Sequence, residues 1–157
     1  ANPCPCGQGL TRNCTCSAPV LRTYRSRLSG PLLDRVDVQL RVHAVKRVTN
    51  APPQETSEAI GERVLRARAA QRERWRAVGR TTNGSVPGPV LRSSAWRLPA
   101  EVTRPLDAQL DRGLLTLRGY DRCLRVAWTL SDLAGAPRPQ AAHLLQALGL
   151  RSGQEAA

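Results

Sequence analysis

Residues 118–134 read RGYDRCLRVAWTLSDLA, and this stretch carries the strongest structural pattern in the chain. Its apolar residues fall on most sides of a helix instead of one stripe; they are Cys123, Leu124, Val126, Ala127, Trp128, Leu130 and Leu133. A helix that is apolar on most sides is buried, so this pattern predicts the central helix of a bundle. Gly135 and Pro137 follow directly and predict its end.

Three further helical segments accompany this one. One begins near Pro99, and another runs from Pro139 to Leu148. The longest begins at a Thr56 or Ser57 cap, and apolar spacings of three and four predict its inner stripe. The stripe comprises Ile60, Val64, Ala67, Gln71, Trp75 and Val78. The other faces of this helix carry Arg63, Arg66, Arg68, Arg72, Arg74, Arg76 and Arg80. Residues 81–89 are rich in Gly, Pro, Asn and Ser and predict a loop.

The first fifty residues have a different pattern. A loop rich in Gly, Pro and Cys precedes a predicted helix from Ala18 to Leu28. Apolar and polar residues then alternate from Val36 to Val42, which is the period of a half-buried strand. A Pro-containing linker at residues 50–53 follows, and the rest of the chain is helical. We therefore expect a mainly α fold with two domains, residues 1–50 and residues 54–157.

The composition limits the class of protein. The chain has 157 residues, with 24 Lys and Arg against 12 Asp and Glu, and a formal net charge of +12. Only Lys46 is a lysine, and arginine favours planar, two-pronged contacts with phosphate or carboxylate groups. No run reaches the roughly 18 apolar residues of a membrane span, so we expect a cytoplasmic chain without a membrane partner. The sequence has no Met and starts at Ala1, from which we expect a fragment or a processed chain.

Four of the five cysteines lie within the first sixteen residues, as Cys4-Pro-Cys6 and Cys14-Thr-Cys16. On the two arms of a hairpin, these pairs would place four thiolates around a tetrahedral Zn²⁺. Such a zinc ion would be structural, because four protein ligands leave no coordination position open. Cys-x-Cys is tighter than the usual Cys-x-x-Cys knuckle, so disulfides across the hairpin and four free thiols are the alternatives. Cys123 is expected to be a small core residue.

Three stretches, taken in order, resemble one protein family. They are Asn2-Pro3-Cys4-Pro5-Cys6-Gly7, then Tyr24-Arg25-Ser26-Arg27-Leu28-Ser29-Gly30-Pro31-Leu32-Leu33-Asp34-Arg35-Val36-Asp37, then Arg125-Val126-Ala127 with Asp132-Leu133-Ala134-Gly135. Together they are similar to the C-terminal part of the magnesium-chelatase-like AAA+ ATPases of the ComM type, and the similarity covers nearly the whole chain. It implies that residues 1–50 are a short remnant of an α/β AAA+ core, with a Cys loop, a helix and a strand. Residues 54–157 would then be the magnesium-chelatase-like C-terminal helical lid bundle.

The resemblance also implies catalytic roles for two residues of the first domain. Asn2 resembles the sensor-1 Asn, which holds the attacking water near the γ-phosphate of the nucleotide. Arg35 resembles the arginine finger, which is presented to the nucleotide of the neighbouring subunit. A surface ion pair of Arg35 with Asp34 or Asp37 is the alternative interpretation.

In the second domain, Arg118 resembles the sensor-2 Arg, which contacts the nucleotide, although Arg122 or Arg125 on the same helix could fill that role instead. The sequence contains neither a Gly-x-x-x-x-Gly-Lys-[Ser/Thr] phosphate loop nor an apolar strand ending in the paired acids that hold Mg²⁺. The resemblance therefore implies that ATP and Mg²⁺ are bound by the full-length parent, as a homo-oligomeric ring that is hexameric in the family. We expect this chain alone to be inactive as an ATPase.

Two hypotheses for the function follow. The first is that the parent couples ATP hydrolysis to DNA remodelling, as ComM-type proteins are thought to do in branch migration. The second is a non-catalytic, basic, zinc-stabilised module that binds nucleic acid. Metal insertion into a tetrapyrrole, as in magnesium chelatases, is a third and weaker hypothesis.

The arginine-rich helix from Glu58 to Arg80 has two interpretations. It is either a solvated face, balanced by Glu55, Glu58, Glu62 and Glu73, or a surface that tracks DNA phosphates. The few aromatic residues argue against base stacking, which leaves backbone charge as the expected mode of DNA binding. His43 and His143 are expected to be structural, because neither has an acid and a nucleophile arranged for a hydrolase triad.

Overall fold

The computed structural model describes residues 2–8, 13–40, 42 and 55–153. The chain forms two compact units, Ala1–Val36 and Asp37–Ala157, which we call unit 1 and unit 2. His43 and the linker at residues 50–53 lie outside the described residues.

Unit 1 contains two short helices, α1 (Ala18–Ser26) and α2 (Gly30–Leu33). Both carry a proline in their first turn, where the missing N–H removes no helical hydrogen bond. Neither helix has a buried residue, and Cys4 is the one buried residue in the described part of unit 1. The helix expected from Ala18 to Leu28 is thus present, but unit 1 has almost no apolar core.

The strand expected from Val36 to Val42 is not found in the part of this segment that the structure describes, residues 36–40 and 42. The side chains of Val38 and Leu40 are 39% and 72% exposed. The backbone N–H of Gln39 donates to the carbonyl of Leu150, at 2.7 Å. A strand needs a neighbouring strand as the partner of its backbone hydrogen bonds. Here the backbone N–H of Gln39 donates to the carbonyl of a helix residue instead.

Unit 2 is a bundle of helices. In chain order they are α3 (Ser57–Trp75), α4 (Gly88–Leu91), α5 (Ala100–Asp111), α6 (Leu117–Leu133) and α7 (Ala141–Ser152), with 3₁₀ turns at Arg76–Val78 and Asn83–Ser85. The hydroxyl of Thr56 caps α3, accepting from the N–H of Ala59 at 3.3 Å. Thr116 caps α6 in the same way, accepting from the N–H of Gly119 at 3.0 Å. These caps satisfy N–H groups that a helix start leaves unpaired.

Helix α6 is the centre of unit 2, as its pattern predicts, and it packs against α3, α5 and α7. The buried core around it comprises Trp75, Val86, Leu91, Leu98, Leu106, Leu115, Tyr120, Cys123, Leu124, Ala127, Trp128, Leu144 and Ala147. Cys123 is 1% exposed, and burial raises the pKa of its thiol to about 11. Its predicted role as a core residue is confirmed.

His143 has a structural contact, because its Nδ1 accepts the backbone N–H of Gln140 at 3.0 Å.

Only the second half of α3 packs into this core. Ala67, Gln71 and Trp75 are buried, but Ile60 and Val64 are each 42% exposed. The predicted inner stripe is therefore wrong at Ile60 and Val64, where no other helix covers α3 in the described structure. It is also wrong at Val78, which lies beyond the end of α3 and is 37% exposed. No helix among the described residues combines the length and the hydrophobicity that a membrane span requires.

Candidate functional site

The four cysteines of unit 1 come together in space. Their Sγ atoms all lie within 4.8 Å of one another, with 3.3 Å between Cys4 and Cys6 and 3.8 Å between Cys6 and Cys14. Four sulfur atoms bound to one Zn²⁺ at about 2.3 Å would be about 3.8 Å apart, which matches this spacing. The cluster of Cys4, Cys6, Cys14 and Cys16 is thus a possible metal site, as the sequence predicts.

A tight turn brings the first pair of cysteines into this arrangement. The N–H of Gly7 donates to the carbonyl of Cys4 at 3.4 Å, and Gly7 has φ +77°. This left-handed conformation is free of strain only for a residue without a Cβ atom. The turn therefore depends on the glycine that follows Cys6.

Without a cation, the electrostatics of the cluster disfavour the thiolate form of Cys16. A backbone hydrogen bond from Cys6 lowers the pKa of the Cys16 thiol, but burial and the neighbouring Cys6 and Cys14 sulfurs outweigh it and raise this pKa to about 11. Several thiols at such short distances disfavour one another's thiolate forms. A divalent cation would reverse this preference, because a coordinated thiol loses its proton.

Asn2 and Arg35, also in unit 1, are both exposed. Arg35 follows the end of α2, where its backbone N–H donates to the carbonyl of Leu32 at 2.9 Å. No hydrogen bond or ion pair joins Asn2 to Arg35 in the described part of unit 1. The structure thus places these two residues on the surface without bringing them together.

The three arginines of α6 that were candidates for a nucleotide contact have different surroundings in unit 2. The side chain of Arg122 forms an ion pair with Asp37, and the Nε of Arg125 donates to the carbonyl of Val86 at 2.8 Å. Arg118 is exposed in the first turn of α6, and no ion pair of its side chain is found among the described residues. Of the three, Arg118 has the guanidinium that is available to a ligand.

A buried polar network joins α3, α6 and the 3₁₀ turn between α3 and α4. Arg74 forms a two-pronged ion pair with Asp132, in which Nη1 donates to Oδ2 at 3.0 Å and Nη2 donates to Oδ1. The side chain of Asp132 is fully buried and that of Arg74 is 11% exposed. The side chain of Asn83 donates to Asp132 at 2.8 Å and accepts from the Trp75 indole N–H at 2.7 Å. The prediction that Arg74 lies on an outer face of its helix is therefore wrong.

Little in the sequence predicts this network. Asn83 lies in a stretch whose Gly, Pro, Asn and Ser residues predict an exposed loop, yet its side chain is completely buried. Asp132 belongs to one of the stretches that carry the family resemblance. This membership is the one feature of the sequence that marks Asp132 as important. Such a network holds helices in a fixed register, so its role in this chain is structural.

Three other arginines in or directly after α3 are paired with glutamates. Glu55 binds Arg63 through two hydrogen bonds of 2.7 and 2.9 Å, which hold the pKa of Glu55 below its usual value. Arg66 pairs with Glu62 at 3.8 Å and Arg76 with Glu73 at 3.0 Å. For these three arginines the structure supports the interpretation as a solvated, balanced face.

A second polar group lines a cavity of about 420 Å³ between α4, α5 and α6. Within it, the Tyr120 hydroxyl donates to Asp107 at 2.8 Å, and the Thr103 hydroxyl donates to the same carboxylate at 2.7 Å. Burial and the Asp107 carboxylate raise the pKa of Tyr120 to about 12. Both oxygens of Asp107 are thereby occupied by internal donors, so the carboxylate has a structural role.

Comparisons with known proteins agree with the resemblance. The family described as magnesium chelatase, subunit ChlI C-terminal, matches residues 54–151, and magnesium chelatase, subunit ChlI, matches residues 1–50. Uncharacterized protein Rv2897c of Mycobacterium tuberculosis is 44% identical over 152 residues. Competence protein ComM of Haemophilus influenzae is 33% identical over 155 residues, and Uncharacterized protein YifB of Escherichia coli is 29% identical over 154 residues.

Each of these alignments covers 96% of the chain but only 29% or 30% of the relative. The chain thus spans less than a third of the length of the curated relatives it matches. The family matches run through both parts of the chain, and the longer one includes the helices that form the core of unit 2. The chain therefore belongs to the magnesium chelatase subunit ChlI family and carries its C-terminal domain at residues 54–151.

Proposed function

We propose that this chain is a C-terminal portion of a ring-forming AAA+ ATPase of the ComM type, which couples ATP hydrolysis to DNA remodelling such as branch migration. The family match over residues 54–151 supports this proposal. So does the similarity to a relative that is named a competence protein. In this proposal, residues 1–50 end the ATPase core and residues 54–157 form its helical lid.

The observation that carries the proposal is the availability of Arg35 and Arg118. Both are exposed and have no ion pair among the residues described, whereas Arg122 and Arg125 are engaged by groups of unit 2. A free guanidinium can contact phosphoryl oxygens without first breaking an internal pair. Arg35 would stabilise the transition-state charge on the nucleotide of the neighbouring subunit, and Arg118 would bind a nucleotide in its own or an adjacent subunit.

Asn2 would complete this set by holding the attacking water. An uncharged amide suits that task, because it can donate to a phosphate oxygen and accept from the water. The phosphate loop and the acids that hold Mg²⁺ would come from the longer protein. We therefore expect the 157-residue chain neither to bind ATP tightly nor to hydrolyse it.

We infer that Cys4, Cys6, Cys14 and Cys16 bind a structural Zn²⁺. Support comes from the sulfur spacing, which fits a tetrahedral site, and from a donor set of four thiols, which zinc prefers. The ion would fix the loop that follows Asn2. It would take no direct part in hydrolysis, since four protein ligands leave no position for water or substrate.

ATP hydrolysis by the longer protein that contains this chain tests the proposal. Arg35→Ala should lower kcat by about 1,000-fold, the usual range for an arginine finger. The matched control is Arg104→Ala, which removes an exposed arginine of α5 and should leave kcat unchanged. Arg118→Ala should weaken nucleotide binding.

Mixed rings test the action of Arg35 across subunits. Subunits with Arg35→Ala should regain activity when mixed with subunits that lack the phosphate-loop lysine, because each kind supplies what the other lacks. Full turnover in Arg35→Ala rings would show that the assignment of the finger is wrong.

The second candidate is a basic, zinc-stabilised module that binds nucleic acid without catalysis. It is favoured by exposed arginines in unit 1 for which no ion pair is found within the described structure, namely Arg22, Arg25 and Arg27. This candidate predicts salt-dependent binding of DNA by a longer protein that has no ATPase activity.

A further inference from the structure

Unit 1 contains a groove of about 280 Å³ beside α1, which we call the proline groove. It is lined by Pro5, Pro19, Val20, Thr23, Tyr24 and Arg27. Val20, Tyr24 and Arg27 follow one another at spacings of four and three, so they form one face of the helical segment. Pro5 lies between Cys4 and Cys6, so the cysteine cluster holds one wall of the groove.

The surfaces of this groove suit a flat, apolar group. Two pyrrolidine rings and the phenol ring of Tyr24 line it, and Val20 is 47% exposed. A nucleobase is planar, and aromatic side chains bind bases by stacking on them in a way that tolerates any sequence. Such stacking requires a single strand, because the base faces of a duplex are already covered by their neighbours.

The charge around the groove suits a polyanion. Arg27 lines the groove, and Arg22 and Arg25 lie on other faces of the same helical segment. All three are exposed, and none has an ion pair among the described residues. Residues 1–36 contain five arginines and Asp34 as the one acid. A Zn²⁺ with four thiolates would carry a charge of −2, so the unit would stay positive with zinc bound.

These properties differ from those of α3. From the sequence, α3 is either a solvated face or a surface that tracks phosphates, and the few aromatic residues argue against base stacking. In the structure, Arg63, Arg66 and Arg76 are paired with glutamates and Arg74 is buried with Asp132. Arg22, Arg25 and Arg27, for which the described structure shows no ion pair, belong instead to the same helical segment as Tyr24.

We propose that the proline groove binds single-stranded nucleic acid, with one base against Tyr24 and the prolines and with a backbone phosphate on Arg27. The proposal deepens the DNA-remodelling function proposed above and rests on it for the choice of DNA as the strand. An acidic protein segment could use the same charges, but it would have no use for the flat apolar walls.

Binding of a dye-labelled single-stranded oligonucleotide to the zinc-supplemented 157-residue chain tests the proposal by fluorescence anisotropy. Tyr24→Ala should weaken binding about tenfold, the typical loss for one stacked base. Tyr24→Phe keeps the ring and should bind as the unaltered chain does. Arg27→Ala should weaken binding and lower the slope of log affinity against log salt by about one.

The control is Arg72→Ala, which removes an exposed arginine of α3 and should leave binding unchanged. Hydrogen exchange of the α1 amides checks that each variant keeps its fold. Equal affinity of Tyr24→Ala and the unaltered chain would overturn the proposal, and a loss confined to Arg72→Ala would assign DNA to α3. Binding of polyglutamate but of no oligonucleotide would indicate a protein partner and would also overturn it.

The experiment is independent of ATP hydrolysis. A chain that binds the oligonucleotide through Tyr24, within a longer protein that has no ATPase activity, would support the groove and contradict the motor function. If the longer protein hydrolyses ATP and the Tyr24→Ala variant binds the oligonucleotide normally, the result would support the motor function and contradict the groove.

Discussion

Units 1 and 2 have different sources of stability. Unit 2 buries Trp75, Trp128 and the leucine-rich faces of its helices around α6. Its largely buried side chains of Arg74, Asn83 and Asp132 hydrogen-bond to one another. Unit 1 has two short helices with no buried residue, and its one described buried side chain is the cysteine Cys4. Small units without an apolar core usually need disulfides or a metal to stay folded.

The difference shows how one short chain can combine two solutions to folding. In unit 2, burial of apolar surface makes the largest contribution to the stability of the fold, and Cys123 is an ordinary core residue. In unit 1, the cysteines are the structural centre.

Removal of zinc should unfold unit 1 and leave unit 2 intact. Structural zinc sites contribute about 10 kcal/mol or more to folding, which exceeds anything else described in unit 1. Under reducing conditions, a chelator should abolish hydrogen-exchange protection in α1 and leave the protection of α6 unchanged. Cys4→Ser should lose the bound zinc, whereas Cys123→Ala should keep one ion per chain. A metal-free, reduced chain with a protected α1 would contradict the prediction.

Asp132→Ala should destabilise unit 2 by about 3–5 kcal/mol, because it leaves the Arg74 guanidinium buried without a counter-ion and removes an acceptor of Asn83. Urea unfolding followed by the far-UV circular dichroism of the helices measures this loss. The control is Glu62→Ala, which removes an exposed ion pair of α3 and should cost about 1 kcal/mol or less. A loss below about 1 kcal/mol for Asp132→Ala would mean that the network adds little stability.

The stability of unit 2 should fall between about pH 10 and pH 12 through Tyr120. Its pKa is raised from about 10 to about 12, so the folded chain keeps the phenol proton after the unfolded chain has released it. This contribution is fully present below pH 10, is lost as the pH rises towards 12, and amounts to about 2–3 kcal/mol. Tyr120→Phe should remove this part of the pH dependence.

Tyr24→Phe is the matched control for this experiment, because Tyr24 belongs to unit 1. Its stability profile for unit 2 should follow that of the unaltered chain. Identical pH profiles for Tyr120→Phe and the unaltered chain would show that burial and the Asp107 carboxylate do not raise the pKa of Tyr120 in the folded chain.

Gly88→Ala should destabilise unit 2 by about 1–2 kcal/mol, through overpacking of a buried site. A Cβ atom at Gly88 would overlap the carboxylate of Asp121 and lie 2.9 Å from Nη1 of Arg92, so it would disturb the ion pair between these two residues. Gly84→Ala is the control, because a Cβ atom there meets no atom within 4 Å. Equal unfolding midpoints for the two variants would contradict the prediction.

The helices, their caps and the central position of α6 could be predicted because they depend on residues within one or two turns. The clustering of Cys4, Cys6, Cys14 and Cys16 was also predictable, since their spacing in the sequence is short. The prediction of a strand from Val36 to Val42 is wrong for a simple reason. Alternation shows which side chains could face a core, but it cannot supply the neighbouring strand that the backbone needs.

The polar core of unit 2 could not be predicted for a different reason. Arg74 and Asp132 are 58 residues apart, and whether an arginine is buried depends on a partner that only the folded chain brings near. The same holds for Asn83, which looks like a loop residue until its contacts are known. Among the candidate site residues, Arg118 could be separated from Arg122 and Arg125 only by their contacts in unit 2.

The tryptophan cluster gives the two units different optical properties. All three tryptophans of the chain, Trp75, Trp96 and Trp128, lie in unit 2 with ring centroids 4.5–6.2 Å apart. Their emission therefore reports on that unit alone, and excitation can pass between the indoles at these distances. Unit 1 has Tyr24 as its own chromophore in the near ultraviolet. Excitation at the red edge of the indole band thus records the folding of one unit while the other is spectroscopically silent.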